Sequence, residues 1–309
     1  MGILSRLAPC MVTWYAVVTG ANRGIGLEIC RQLASNGIVV LLTSRDEKRG
    51  LEAVQNLVSS GLSHGLVVFH QLDVVDPDSI ASLAEFIKSQ FGKLDILPDG
   101  VQVSWNELAR QEIDLTEKCL DTNYYAAKRM VEALLPLLAS SDSARIVNVS
   151  SGMGYLQLCL NSEVLCLILF RKFQVNGQKE YYENLCEERI DEVVNKFLND
   201  LKEDKLEENG WPIHCSAYTI SKAALNAYTR ILYPSFRVNC VCPGFCKTDM
   251  TNNVGMLTAA QGAEYPVRLA LLPSDGPSGC FFVQKEICNF LTIFTFFTFS
   301  TLLYRIYKK

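Results

Sequence analysis

Between Val17 and Gly37 the chain reads VVTGANRGIGLEICRQLASNG: an apolar run, glycines at Gly20, Gly24 and Gly26, and a helix-like pattern closed by Gly37. No other feature constrains the fold as much. Glycines allow a tight turn and let a pyrophosphate approach the backbone. The helix that follows offers unpaired N–H groups and the positive end of its dipole. A glycine triplet alone would fit a plain tight turn packing a helix on a sheet. The strand–loop–helix context favours a dinucleotide site, with Gly20, Asn22, Arg23, Gly24, Ile25 and Gly26 as the candidate cofactor-binding residues.

The pattern after this loop predicts an α/β protein. Apolar strands are expected at Tyr15–Thr19, Ile38–Thr43, Leu66–Gln71, Leu94–Leu97, Ala144–Val149 and Arg237–Cys242. Helical segments alternate with them, including Asp46–Ser60, one opened by Pro77, Leu115–Leu138 and Ala217–Leu232. Strands without polar alternation are buried on both faces, so the sheet is parallel and covered by helices. This is a doubly wound, Rossmann-type fold, and ligands belong beyond the carboxyl ends of its strands. The second strand runs into Arg45. An acid there would suit a ribose hydroxyl, whereas an arginine suits a 2′-phosphate. With Arg23 as a second cation, NADPH rather than NADH is the expected cofactor; the alternative for Arg45 is an ordinary solvated side chain. Asp73, followed by Val74 in QLDVVD, is placed to bond an adenine amino group or to cap the next helix.

Composition narrows the partners. A net charge of −4 over 309 residues gives no basic face for nucleic acid. The 12 cysteines are scattered without a C-x-x-C pair, and there are three histidines, so neither metal site nor disulfide framework is indicated. Free thiols in a reducing, cytoplasmic setting are the simplest reading.

Three further segments carry chemistry. SAYTISKAALNAY places Tyr218 and Lys222 four residues apart on one helix face. An ammonium near a phenol is expected to lower the phenol pKa and fit it for general acid–base work. The bland alternative is a surface Tyr/Lys pair. RIVNVSSGMG puts Ser150 and Ser151 just past a buried strand, where ligands sit. DTNYYAAKRM puts Asn123, a mediocre helix former, inside a helix.

With these residues in place the chain resembles the short-chain dehydrogenase/reductases. It is most similar to the plant subgroup of menthone/neomenthol reductase-like and salutaridine reductase-like enzymes. TGANRGIG, LDVVD, TNYYAAKRMVEALLPLL, RIVNVSSGMG, GWPIHCSAYTISKAALNAYTRI and RVNCVCPGFCKTDM carry the likeness over most of residues 14–289. The resemblance implies an NADPH-dependent oxidoreductase that reduces a ketone or aldehyde of a lipophilic, terpenoid- or alkaloid-like molecule. It makes Tyr218 the acid, Lys222 its pKa-lowering and ribose-binding partner, and Ser151 rather than Ser150 the group that steadies the substrate oxygen. Asn123 would hold a relay water against Lys222, and Pro243, Gly244 and Thr248 would lie beside the nicotinamide. Residues 152–212 match the subgroup's helical insertion, which covers the usual dimer helices, so a monomer is implied.

The sequence also departs from the family. After KLDIL an Asn-Asn-Ala-Gly turn is expected, but the chain reads PDGVQVSW, with Pro98-Asp99-Gly100 as a shorter turn of another shape. The alternative function is therefore a cofactor-binding but catalytically impaired variant. LQLCLNSEVLCLILFRKFQVNGQKEYYENL is unlike the family's more polar loop, and RILYPSF is about three residues short. Residues 1–13 form an N-terminal extension, and 290–309 an apolar tail with three readings: a membrane anchor, a segment packed on the domain, or translated sequence without a role.

Overall fold

The computed structural model describes residues 13–99, 112–154, 173–175, 178–180, 185–233 and 235–288. Ten strands and eight α-helices are described along these segments. The first half alternates strictly: β1 Tyr15–Val18, α1 Gly24–Ser35, β2 Val39–Ser44, α2 Glu47–Ser59, β3 Val67–Gln71, α3 Pro77–Gln90 and β4 Ile96–Asp99. A long helix follows, α4 Ile113–Leu120 running through a π turn at Asp121–Tyr125 into α5 Ala126–Ala139, and then β5 Arg145–Val149. The short strands β6 Phe173–Val175 and β7 Gln178–Glu180 pair only with each other. The remainder is α6 Glu187–Lys202, α7 Ser216–Leu232, β8 Arg237–Cys242, α8 Ala259–Ala270, β9 Phe281–Val283 and β10 Glu286–Cys288.

The main sheet has the order β10-β9-β8-β5-β4-β1-β2-β3, parallel except for the edge pair β9/β10. Strand order reverses between β1 and β4, the switch point at which doubly wound sheets open a crevice at their carboxyl edge. Side chains divide by parity, as a pleat requires. Val17, Leu41, Leu97 and Ile146 pack with α3, α5, α6 and α7. Ala16, Val18, Val40, Leu42, Ile96 and Val147 pack with α1 and α8 on the other face. Both faces are dry, which is why the strands read as unbroken apolar runs.

Two elements break the expected pattern. β4 does not stop at Leu97: Pro98 and Asp99 continue the ladder opposite Val147 and Asn148 of β5. The turn expected at Pro98-Asp99 is thus corrected to strand, and Gly100 lies outside the described residues. Proline removes one donor from a strand interior. Here the β5 pairing holds the strand, and Pro98 still accepts from the Thr19 N–H at 3.4 Å. The ladder between β1 and β4 is correspondingly thin, with Ala16 opposite Ile96 as its register pair.

The second is α8, which carries Gly262 and Pro266 inside it and so reads poorly as a helix. It starts on a reciprocal cap, Thr258 with Gln261. Gly262 is needed because a Cβ there would fall 2.4 Å from Cys246 Sγ.

The insertion contributes α6, whose Ile190, Val193, Val194 and Phe197 are buried against α7 and its surroundings. Its Asp191 accepts from Tyr124 at 2.8 Å and from Lys128 at 3.0 Å, tying it to the helix that bears Asn123. Trp211 beyond it donates to Asp200 at 2.6 Å. Among the described residues no helix is long and apolar enough to cross a membrane, and the nine described cysteines are free thiols. The tail readings and most of the 1–13 extension fall outside the described residues.

Candidate active site

The nucleotide half of the site is made mostly of backbone. Gly20 and Gly24 adopt φ of 58° and 59°, a region that strains any residue with a Cβ. Gly26 is needed for contact: a Cβ there would lie 2.8 Å from the Gly20 carbonyl oxygen and 3.0 Å from Ala21 Cα. Helix α1 therefore sits directly on the loop. Its N-cap, Arg23, makes no side-chain cap bond, so that side chain leaves the first-turn N–H groups open to a ligand. Asn22 and Ile25 are half-buried beside the loop.

Arg45 is exposed just past β2, and its carbonyl accepts from Gln71. Arg23 is placed differently from expectation: its Nη1 lies 2.5 Å from the Asp249 carboxylate. Asp249 follows Thr248, whose methyl would meet a Cβ on Gly24 at 3.5 Å. The Pro243–Thr248 segment, with Gly244 at φ 86°, thus brings Thr248 up against the glycine loop. Asp73 accepts from the Val75 N–H at 3.2 Å, and α3 is capped by Asp76 instead. Val74 is buried below it.

The catalytic half draws on distant segments. Tyr218 and Lys222 lie on one face of α7 and are buried, 4% and 1% exposed. The ammonium is 5.9 Å from the centre of the Tyr218 ring and donates to the Val149 carbonyl at 3.0 Å. Ser151 accepts from the Met153 N–H at 3.1 Å, and its hydroxyl stands near enough to the Tyr218 phenol to favour the phenolate. Ser150 is instead a packing residue: its N–H bonds the Val241 carbonyl and its hydroxyl faces the Lys222 carbonyl. The GMG turn approaches α7 so closely that a Cβ on Gly154 would fall 2.9 Å from the Lys222 carbonyl carbon.

Asn123 sits in the π turn, a distortion that recurs at functional sites. Its Nδ2 donates to Ser221 Oγ at 3.1 Å and to Cys119 Sγ at 3.3 Å. The side chain therefore meets the neighbour of Lys222 rather than Lys222 itself. Its buried Oδ1 has no hydrogen-bond partner among the described residues.

One electrostatic expectation is corrected. The Tyr218 phenol is pushed above its ordinary range, not lowered, because burial outweighs the lowering influence of the nearby Ser151 hydroxyl. Burial also pulls Lys222 below the usual lysine range, with the Asp99 carboxylate the largest influence in the other direction. Asp99 itself accepts from Thr19 Oγ1 at 2.7 Å. Asp99, Thr19, Ser221 and Cys119 were not legible as site residues. Only Thr19 carried a signal, as the first residue of the glycine motif.

A glycine loop at the switch point, with the buried Tyr218–Lys222 pair and half-buried Ser151 at the carboxyl edge of the same sheet, fits a dinucleotide-dependent oxidoreductase class. Comparison with known proteins gives the family. The profile described as short chain dehydrogenase matches residues 15–162. The chain is 52% identical to a (+)-neomenthol dehydrogenase of Arabidopsis thaliana over 300 residues, covering 89% of this chain and 98% of that one. It is 36% identical to the human carbonyl reductase [NADPH] 3, over 89% and 97% of the two chains. The solved salutaridine reductase of Papaver somniferum superposes with a TM-score of 0.77 at 46% identity, over 87% of this chain and 99% of that one. The chain belongs to the short chain dehydrogenase family.

Proposed function

We propose that the protein is an NADPH-dependent carbonyl reductase acting on a ketone or aldehyde of a lipophilic small molecule, of terpenoid or alkaloid type. The observation that carries this reading is the buried Tyr218–Lys222 pair on α7, with the ammonium 5.9 Å from the centre of the phenol ring and anchored to the Val149 carbonyl at the carboxyl edge of the sheet. The names of its relatives, a neomenthol dehydrogenase, a salutaridine reductase and an NADPH carbonyl reductase, point the same way. The residues present fit the cofactor. The left-handed glycines, the close seat of Gly26 and the N-terminus of α1 suit a pyrophosphate, and Arg45 suits a 2′-phosphate.

When bound, NADPH supplies the hydride for the carbonyl carbon. Tyr218 donates its proton to the carbonyl oxygen, and Ser151 holds that same oxygen by its hydroxyl. The raised phenol pKa keeps Tyr218 protonated at neutral pH, as a proton donor requires. Lys222 carries the positive charge that compensates the phenolate left behind. Asn123, through Ser221, fixes the turn of α7 on which Lys222 stands.

Residues 14–289 are read as one reductase domain, with 152–212 as its insertion and 290–309 as a separate tail. A cytoplasmic monomer is part of the reading, since α6 covers α7 and the Asn123 helix, the surfaces through which relatives would pair. Oxidation of NADPH by the full chain, followed at its absorbance band with a panel of cyclic ketones, tests the proposal. Turnover supports it. NADPH binding without turnover on any ketone would place the chain in the impaired class, for which the altered segment after Leu97 is the motive.

A further inference from the structure

We propose that Asp99 is a positioning residue for this reaction: its carboxylate, at the end of β4, keeps the buried Lys222 in its cationic form. The inference rests on the reductase reading of the same site. It starts from parity in the sheet. Val17, Leu97 and Ile146 all pack on the α7 side, so Thr19, Asp99 and Asn148, two residues further along each strand, present their side chains to that side too. Two contacts agree: Asn148 donates to Thr229 of α7 at 2.9 Å, and Thr19 donates to Asp99 at 2.7 Å. Asp99 stands opposite Asn148 in the ladder, and the Lys222 ammonium is anchored one residue further along β5, at the Val149 carbonyl. An acid and an amine therefore share the carboxyl edge of two adjacent strands, Asp99 being 9% and Lys222 1% exposed.

A buried amine without a counter-charge tends to lose its proton. The groups acting on Lys222 come from each neighbouring element: Asp99 of β4, Cys119 of α4, Cys242 of β8 and, on its own helix, Tyr218. Burial raises both thiols, Cys119 to about 11, and raises the phenol, so none of the three is charged near neutral pH. Asp99 is left to supply the compensating charge. The segment that would carry the family's uncharged Asn-Asn-Ala-Gly turn carries this acid instead. It offsets the desolvation that otherwise neutralises the amine on which the phenolate depends.

The test reads the amine directly and needs no turnover. The full chain, labelled with 13Cε-lysine, is titrated by NMR, with the Lys222 signal assigned from Lys222→Met. Lys222 is expected to stay charged at pH 7 and to titrate below the ordinary lysine range. In Asp99→Asn, which keeps a side-chain acceptor for Thr19 but drops the charge, the midpoint should fall by about one pH unit or more, a tenfold loss of proton affinity. In Thr19→Val, which keeps the charge and removes the hydrogen bond, it should move by less than about a third of that.

A neutral Lys222 at pH 7 in the unaltered chain would overturn the proposal without any variant folding. So would an unmoved midpoint in Asp99→Asn, or an equal shift in Thr19→Val. If the alkaline limb of the turnover profile moves to lower pH together with the midpoint, the charge on Asp99 serves the reaction. If the midpoint moves and that limb does not, the positioning role fails although the two charges interact.

Discussion

The two halves of the site are built on different principles. The core of the nucleotide half lies within about thirty consecutive residues, from β1 to Arg45, and is built on backbone shape: two left-handed glycines, one close approach and a helix end. The catalytic half joins β4, the π turn, the end of β5 and α7, and works through buried side chains. Its key contacts span 72 to 98 residues of sequence. A backbone site tolerates change around it but not a Cβ within it. A side-chain site tolerates nearly isosteric packing but not the loss of one proton or charge.

The largest effect should come from the catalytic half. Tyr218→Phe removes the proposed proton donor while keeping the ring, so turnover should fall by roughly 10²–10⁴-fold, the usual range for general acid catalysis. NADPH affinity, read by fluorescence titration, should be nearly unchanged. A variant with near-normal turnover would end the assignment of Tyr218 as the acid.

The nucleotide half should respond in affinity. Arg45→Ala should weaken NADPH by about 1.5–3 kcal/mol, the range for hydrogen bonds to a charged group, and leave NADH almost untouched. Equal losses for both cofactors would separate Arg45 from the 2′-phosphate. Gly26→Ala tests shape alone. Its new methyl meets backbone at 2.8 and 3.0 Å, so the loop or α1 must shift. Overpacking of this kind costs about 1–3 kcal/mol, to be seen as a lower melting temperature together with weaker NADPH binding. An unchanged melting curve would show that the loop is looser than its geometry implies.

The same division explains what could be read from the sequence. Periodicity finds β1 through α3 because each is a local pattern, and the glycine motif is read in place. Tyr218 and Lys222 stand out on one helix face and Ser150 and Ser151 at one strand end, and only the family resemblance chooses Ser151 between the two serines. The π turn at Asn123 leaves no local mark, because it depends on packing against α7. Pro98 argues against strand until the pairing with β5 is seen, and Asp99 reads as a turn residue until its face of the sheet is known. The lowered phenol pKa fails for a related reason. Spacing shows that a lysine is near, but the sign of the shift depends on burial, a property of the whole fold. Helix α8 is hidden by Gly262 and Pro266, one required by contact with Cys246 and the other tolerated on a buried face.

The smallest expected effect sharpens the comparison most, because it separates two arginines that look alike in sequence. Arg45 is exposed at the end of β2, whereas Arg23 is paired with Asp249 across the mouth of the crevice. Both partners of that pair are more than half exposed, and such pairs contribute about 0–1 kcal/mol. A bound phosphate must share Arg23 with a carboxylate that already faces it. Arg23→Ala should therefore weaken NADPH by less than about 1 kcal/mol, well short of Arg45→Ala. Asp249→Ala frees the guanidinium, so NADPH should bind slightly tighter, and Arg23→Ala in that background should cost more than it does alone. The difference between the two costs is the coupling of the pair, which a double-mutant cycle isolates. It should shrink as salt is raised, since an exposed pair is screened over about 10 Å at 0.1 M ionic strength. Equal costs for Arg23→Ala in both backgrounds would show that Asp249 does not compete for Arg23, and that both arginines serve the phosphate as the sequence suggests.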